Sequence, residues 1–345
     1  MITQEIIDSF SDIKTPWGFN GLGYIVYKRT YARQMSNGQL EEWPQTIARC
    51  INGAQEIGAR LTSDEELRLF RYMLELKALL GGRFLWQLGT ETVKRYGKAS
   101  LVNCWFVSIK EIDDFAFLMD MLLLGGGVGF SVKRENINEL PKVKQNVIVS
   151  HKLTKDADFI VPDSREGWVK LLLETLRAYF KTGKSFTYST ILVRGAGEEI
   201  KGFGGKASGP LPLIDGIERI SVVLRNRAGK KLRSVDVLDI CNIIGSIVVA
   251  GNVRRSAQIA LGDADDYLFL HAKDWTNGTI PNHRAMSNNT IYADSFSYMS
   301  DDFWNGYAGN GEPYGLFNLA LAQRKGRISD EDIIDNCEGT NPLIA

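Results

Sequence analysis

The stretch LLLGGGVGFSV has the composition of a loop that brings backbone close to a ligand. It places Gly125, Gly126, Gly127 and Gly129 between a helix-like apolar run and a strand-like run. Glycine lets the backbone approach a bound molecule and point its N–H groups at anionic oxygens. The helix-then-strand order and the absence of G-x-G-x-x-G spacing exclude a dinucleotide fingerprint. The stretch predicts a ligand-binding loop, with a helix cap and turn as the structural alternative.

A second glycine-rich stretch, RGAGEEIKGFGGKASGP, covers residues 194–210 and holds six glycines, two lysines and an arginine. Long loops in compact domains are usually functional, and Lys201 and Lys206 have the charge to pair with phosphate. The G-x-x-x-x-G-K-[ST] pattern of a P-loop is missing. We therefore predict a phosphate-contacting loop, and a solvated flexible loop is the alternative.

The stretch VVAGNVRRSAQIAL places two adjacent arginines between two apolar runs. Asn252, Arg254 and Arg255 follow the helical run, where a turn is expected. Paired arginines suit bidentate recognition of phosphate or base edges. For these residues taken alone, an ordinary surface turn is the alternative.

Cys104 lies in SLVNCWFVSI, a run of bulky residues typical of a strand. Because side chains alternate along a strand, Cys104 and Phe106 should face one side, and Trp105 and Val107 the other. The thiol then either points into a cleft or packs. The four cysteines are too scattered for a disulfide framework or a C-x-x-C zinc site, and the three histidines lack metal-ligand spacing. We predict no metal site.

The composition places these stretches in a globular protein: 44% of the 345 residues are hydrophobic and 24% are charged. Basic and acidic residues are equal at 41 each, so neither nucleic acid nor a membrane surface is an expected partner. No apolar run approaches the roughly 18 residues that span a bilayer. Residues 1–18 lack the plan of a signal peptide, so we expect a cytoplasmic protein.

The elements that must position these residues differ along the chain. Apolar residues recur at helical spacing over residues 44–80, where Ser63 and Glu66 match a capping box and the second helix is expected to close on Gly81 and Gly82. Beyond them, short β-rich runs alternate with helical runs, which predicts an α/β fold with largely parallel strands. The expected organisation is a helical region over residues 1–80 and an α/β region over residues 81–345.

Ten stretches, in order along nearly the whole chain, resemble the catalytic subunit of ribonucleotide reductase. They are GYIVYKRTYAR, GGRFLW, NCWFVSI, GGGVGFSV, PDSREGW, EIKGFGGKASGPLPL, SVDVLDICNIIGSIVVAGNVRRSA, RAMSNNTI, GEPYGLFNLALAQRKGRI and EGTNP. The resemblance is to the monomeric, adenosylcobalamin-dependent class II ribonucleoside-triphosphate reductases in particular. It implies the first half of a ten-stranded α/β barrel, preceded by the helical region and ending in the stub of a finger loop.

The resemblance also implies roles for individual residues. Cys104 matches one member of the family's redox cysteine pair and would donate a proton and electrons to the substrate. Asn341 matches the finger-loop asparagine that holds the ribose hydroxyls, and Asn103 would lie beside the substrate on the same strand as Cys104. The glycines at 125, 126, 127 and 129 would line the nucleotide pocket. The effector and specificity loops would contain Lys201, Lys206, Asn252, Arg254 and Arg255.

The implied ligands and partners are a ribonucleotide substrate, a dNTP effector, adenosylcobalamin and a dithiol reductant such as thioredoxin. In the family, the finger loop reads Asn-Pro-Cys-x-Glu and its cysteine becomes a thiyl radical, whereas Leu343 follows Asn341 and Pro342 here. The resemblance therefore implies an N-terminal fragment that cannot turn over alone and that pairs with a complementary C-terminal chain or segment.

Two alternatives stay open at this point. The chain could be a half-barrel that binds nucleotide effector or a partner protein without chemistry, or a fragment of a class I catalytic subunit. The segment between SVKREN and PDSREGW is also short for a monomeric class II enzyme, so the sequence leaves the oligomeric state open.

Overall fold

The computed structural model describes residues 1–198, 206–250, 257–325 and 334–342. The chain divides into two compact units, Met1–Asn103 and the part that begins at Cys104. Each unit has its own set of secondary-structure elements and its own buried residues.

The first unit is helical. Its helices are α1 Gln4–Ser9, α2 Leu22–Thr30, α3 Trp43–Glu56, α4 Ser63–Leu74, α5 Gly82–Gln87 and α6 Glu91–Tyr96. The apolar faces of α3 and α4 pack together and bury Ile47, Phe70 and Met73 completely. The predicted helical N-terminal region is confirmed. The compact helical unit also includes α5 and α6 and runs to Asn103. A division after residue 80 stays a prediction.

The capping prediction for α4 is wrong by one residue. The N-cap is Thr62, whose hydroxyl accepts a hydrogen bond from the Glu65 backbone N–H, while the Glu65 carboxylate accepts one from the Thr62 backbone N–H. Glu66 instead is buried and forms an ion pair of 2.8 Å with the Met1 amino group. One step along a helix rotates a side chain by about 100°, so Glu66 faces inward where Glu65 reaches the cap.

The second unit alternates strands and helices. Its strands are β1 Cys104–Ser108, β2 Gly127–Ser131, β3 Val149–His151, β4 Phe159–Ile160, β5 Phe186–Ser189, β6 Gln258–Asp263, β7 Ser287–Tyr292 and β8 Gly315–Phe317. Its helices are α7 Ile112–Leu123, α8 Arg134–Ile137, α9 Arg165–Arg177, α10 Leu211–Asn226, α11 Ser234–Val249, α12 Tyr267–Leu270, α13 Asp301–Gly309 and α14 Leu319–Arg324.

Five strands form one parallel sheet in the order β1-β2-β6-β7-β8. The remaining strands form a small parallel sheet in the order β3-β5-β4, which lies in the chain between β2 and β6. The predicted α/β fold with parallel strands is confirmed. A five-stranded parallel sheet is also what half of a ten-stranded barrel requires.

Helices α7 and α11 cover one face of the five-stranded sheet, with α7 against β1 and β2 and α11 against β6. Trp105 points to this face, because its ring lies 6.0 Å from that of Phe117 in α7. Cys241 of α11 is fully buried, and burial raises the pKa of its thiol well above the usual value. In the first unit, burial raises the pKa of Cys50 to about 11, so both thiols are packing residues. Within the described ranges, no helix combines the length and apolar character needed to cross a membrane.

Candidate active site

Residues 338–342, here called the finger segment, lie across β1 and β2 on the sheet face opposite α7. A Cβ placed on Gly127 would lie 2.8 Å from Pro342 Cγ and 3.3 Å from Cys104 Sγ. A Cβ on Gly129 would overlap the carbonyl oxygen of Thr340. The structure therefore brings the predicted cysteine, two of the predicted glycines and the Asn-Pro dipeptide together at one place.

The expected alternation of side chains along β1 is confirmed. Phe106 contacts Gly339 of the finger segment and lies in register with Gly129, while Cys104 lies in register with Gly127. Trp105 points to the opposite face, toward α7. The Cys104 thiol consequently faces the finger segment and is half-buried beneath it.

The four glycines of GGGVG serve two different purposes. Gly127 and Gly129 belong to β2, and the absence of side chains there leaves the room that the finger backbone fills. Gly125 has φ +77° and follows the end of α7, where the left-handed conformation favours glycine. Gly126 lies against the Trp105 ring. Direct contact of the four glycines with a nucleotide stays a prediction.

Two side chains from different elements hold Glu338 at the start of the finger segment. Lys110 Nζ lies 2.8 Å from Glu338 Oε1, and the Tyr292 hydroxyl donates a 2.7 Å hydrogen bond to the Glu338 carbonyl oxygen. The hydrogen bond with Lys110 lowers the pKa of Glu338 and raises that of Lys110, so both groups stay charged near neutral pH. Glu338 is thereby held through both its side chain and its backbone.

Cys337 precedes the finger segment and is also half-buried. It lines an open groove together with Ser108, Lys110 and Asp114. Its carbonyl oxygen accepts a 3.0 Å hydrogen bond from Gln323 Nε2 in α14. This bond fixes the backbone that leads into the finger segment.

Asn103 is the last residue of the first unit. It immediately precedes β1 instead of lying in it, because the strand pairing begins at Cys104. Its side chain is exposed, and its Oδ1 accepts a 2.9 Å hydrogen bond from Arg83 Nε. The Arg83 guanidinium lies 6.0 Å from the Trp86 ring, so the GGRFLW stretch sets the orientation of the Asn103 carboxamide. A substrate contact by Asn103 stays a prediction.

Two residues of β7 that the sequence reasoning missed share the sheet face of the finger segment. Asn288 lies in register with Ile259, which is in register with Gly129, so all three side-chain positions face the same side. Asn288 is exposed there. Tyr292, four residues on, faces the same side and holds the finger segment. Asn288 lies in the stretch RAMSNNTI and Tyr292 directly follows it, but the face of both residues becomes known only from the strand order.

The predicted effector region contains a small cavity of about 140 Å³ near the N-terminus of α9. Cationic Arg165, Arg194 and Lys206 line it together with the Trp168 ring and apolar side chains of α7 and α11. Asp163 lies 2.8 Å from Arg194 and forms an ion pair with it. Lys206 is exposed. The remaining residues predicted for this region lie outside the described residues: Lys201, Asn252, Arg254 and Arg255.

Comparison with known proteins gives two family matches. The ribonucleotide reductase alpha domain matches residues 2–90, and the insertion domain of B12-dependent ribonucleotide reductase matches residues 134–224. With the adenosylcobalamin-dependent ribonucleoside-triphosphate reductase of Lactobacillus delbrueckii subsp. bulgaricus, the identity is 38% over 99% of this chain and 54% of that protein. With the reductase of the same description from Levilactobacillus brevis, the identity is 34% over the same shares.

A crystal structure of B12-dependent (class II) ribonucleotide reductase superimposes with a TM-score of 0.82 at 33% identity, and covers 99% of this chain and 55% of that chain. Both matched domain models describe ribonucleotide reductases, so this chain is similar to the catalytic subunit of that family. It is similar to the N-terminal portion of the adenosylcobalamin-dependent, class II members.

The chain spans about half the length of the curated relatives that it matches. The alignment with the Lactobacillus delbrueckii protein covers 406 positions, whereas this chain has 345 residues, so the relative carries residues without a counterpart here. This difference in length agrees with the prediction that the segment between SVKREN and PDSREGW is short. The insertion-domain match nevertheless includes that segment.

Proposed function

We propose that this chain forms the N-terminal half of the catalytic centre of an adenosylcobalamin-dependent ribonucleoside-triphosphate reductase, an enzyme that converts ribonucleotides to deoxyribonucleotides. One observation carries the proposal: Pro342 of the Asn-Pro dipeptide and the Cys104 thiol both lie against Gly127. The similarity to reductases over 99% of the chain supports the same reaction class.

The reaction replaces the 2′ hydroxyl of the ribose by hydrogen and releases water. Two thiols supply the electrons and become a disulfide, so one disulfide forms for each deoxyribonucleotide. Cys104 is one of these thiols in our proposal, because its side chain faces the finger segment and is accessible from the sheet face. It also donates the proton with which the 2′ hydroxyl leaves as water.

Asn341 orients the ribose in this proposal. A carboxamide donates and accepts hydrogen bonds at the same time, so it can hold two neighbouring hydroxyl groups. The finger segment that carries Asn341 is fixed at Glu338 and rests on Gly127 and Gly129. A ribose held by Asn341 would lie near the Cys104 thiol, because Pro342, the next residue, and that thiol both lie against Gly127.

Adenosylcobalamin would supply the radical that converts a cysteine to its thiyl form. The contacts of the described residues identify no side chain that would hold its corrin. We therefore assign no residue of this chain to the cofactor. The dithiol reductant that restores the cysteine pair belongs to the same proposal.

A second part of the proposal assigns the cavity near α9 to a dNTP effector. Its Trp168 ring and apolar residues suit a base, and Lys206 and Arg194 suit phosphate oxygens. The lysine is the simplest group to remove, because it lies at the surface and outside regular secondary structure.

Lys206→Ala is expected to weaken dNTP binding to the 345-residue chain by about tenfold to 100-fold, since a charged hydrogen bond contributes about 1.5–3 kcal/mol. Isothermal titration calorimetry with each of the four dNTPs measures the loss. Lys184→Ala is the matched control, because Lys184 is an exposed lysine of the same unit away from the cavity. Equal affinities for the two variants would exclude Lys206 from the effector site.

The missing half of the centre would come from a complementary segment. Among the described residues, β1 and β8 are the edges of the five-stranded sheet, and Tyr314 and Leu316 at the β8 edge are exposed. Open strand edges and uncovered apolar side chains favour pairing with further strands. The partner would contribute the radical cysteine, the glutamate after it, the second redox cysteine and a phosphate site.

A polypeptide of residues 1–345 is expected to form no deoxyribonucleotide with adenosylcobalamin, a dithiol and all four ribonucleotides, because Leu343 stands where the family has its radical thiol. Co-expression with a segment that begins Cys-x-Glu and carries the second half-barrel should give the completed enzyme, which is active. Chromatographic assay of deoxyribonucleotide measures both. Deoxyribonucleotide formed by residues 1–345 alone would contradict the proposal. A stable monomer that does not bind the co-expressed segment would also contradict it and would favour an effector-binding module.

A further inference from the structure

We propose that Tyr292 is a positioning residue, whose hydroxyl sets where the finger segment lies on the sheet and thereby where Asn341 meets the substrate. The inference rests on the proposed function, because it assumes that Asn341 holds the ribose. It adds a residue on a strand far from Cys104 in the sheet order, since β2 and β6 lie between β1 and β7.

The Tyr292 ring is itself held firmly. Tyr292 is the last residue of β7 and pairs in register with Asp263 on one side and Phe317 on the other. Its ring lies 6.1 Å from the Phe317 ring at 74°, an edge-on contact, and Lys133 Nζ lies 5.3 Å from its centroid. A ring packed in this way places the hydroxyl at one fixed point above the sheet.

The Tyr292 hydroxyl contacts the finger segment through a backbone carbonyl group. It donates to the Glu338 carbonyl oxygen at 2.7 Å. Lys110, which follows β1, holds the carboxylate of the same residue at 2.8 Å. Because Tyr292 and Lys110 come from two different places on the sheet, Glu338 is fixed in two directions, and only two residues separate it from Asn341.

The Tyr292 hydroxyl remains a hydrogen-bond donor throughout the physiological pH range. Burial raises the pKa of its phenol, so the hydroxyl keeps its proton. Ser131 of β2 lies on the same face, and its side-chain hydrogen bond with the phenol lowers the pKa of Tyr292 by less than burial raises it. The phenol proton itself is donated to the finger backbone. A purely structural role would instead stabilise the whole sheet, and the two roles predict different measurements.

Tyr292→Phe in the 345-residue chain is expected to speed amide hydrogen exchange about tenfold in peptides that cover residues 338–342, because one hydrogen bond that closes this segment is lost. Exchange in β1, β2 and β7 should not change, since the ring and its contacts remain. Mass spectrometry of peptic fragments measures both regions. Tyr307→Phe, which alters an exposed phenol of α13, is the matched control and should exchange like the parent chain.

In the completed enzyme, Tyr292→Phe is expected to lower kcat by about tenfold to 100-fold, as a small displacement of a substrate-holding group does, with dNTP binding unchanged. Unaltered exchange at residues 338–342, or acceleration across the whole sheet, would overturn the inference. An inactive parent enzyme would refute the proposed function and leave the exchange result standing, so the two failures can be told apart.

Discussion

Replacing Cys104 by serine is expected to lower the multiple-turnover rate of the completed enzyme by at least about 100-fold, the lower range of the contribution of a positioned proton donor. The serine hydroxyl is almost the size of the thiol, so the packing of residue 104 against Gly127 is kept. It cannot form a disulfide, however, and it is a much weaker acid. The loss should therefore be in kcat and should not be recovered by more reductant.

Cys337→Ser is the matched control for this substitution. Cys337 is half-buried like Cys104, but it lies in the groove before the finger segment and away from Gly127. We expect near-normal turnover for this variant. The measurement is deoxyribonucleotide formed over many turnovers with adenosylcobalamin and a dithiol. A Cys104→Ser enzyme that turns over normally would remove Cys104 from the redox pair.

Gly129→Ala is expected to displace the finger segment and to lower the activity of the completed enzyme by about 100-fold, the loss typical of a 1 Å misplacement near the reacting groups. The added methyl group would overlap the Thr340 carbonyl oxygen and lie 3.0 Å from the Phe106 ring. Because the overlapping atom of Thr340 belongs to its backbone, no side-chain rotation can relieve the overlap. In the 345-residue chain, overpacking of this kind should cost about 1–3 kcal/mol in the free energy of unfolding.

Gly309→Ala provides the control, because a methyl group at that position of α13 meets no atom within 4 Å. It should leave both stability and activity close to those of the parent. Urea unfolding measures the first effect and amide exchange at residues 338–342 measures the displacement. If Gly129→Ala leaves that exchange unchanged, the β2 glycines do not seat the finger segment.

The amino-acid sequence predicted the elements that depend on local pattern. The strand around Cys104 and its alternation were correct, since a strand places successive side chains on opposite faces whatever surrounds it. The capping box of α4 was misplaced by one residue, because Thr62 and Ser63 are equally good caps and only the burial of Glu66 decides between them. Asn103 was likewise placed one residue too far into β1.

The roles of the glycines could not be read in the same way. Their number predicted close approach of backbone, and close approach is found, but the group that approaches Gly129 is the Thr340 carbonyl, more than 200 residues further along the chain. Such a contact depends on the strand order β1-β2-β6. In the sheet β2 and β6 are neighbours, although the small sheet and helices α8 to α11 lie between them in the chain. No local pattern contains that order.

By itself, the sequence determined which class of protein the chain resembles, because residue types in a fixed order carry that likeness. The role of Cys104 as the reactive thiol stays a prediction. The tertiary structure alone decided that Tyr292 and Lys110 hold Glu338, and that Asn288 shares a face with Phe106. These pairs lie far apart in the chain, and they meet because parallel strands from separate segments align in register. The free energy that aligns them comes from burying the opposite face of the sheet under α7 and α11, which is a property of the whole fold.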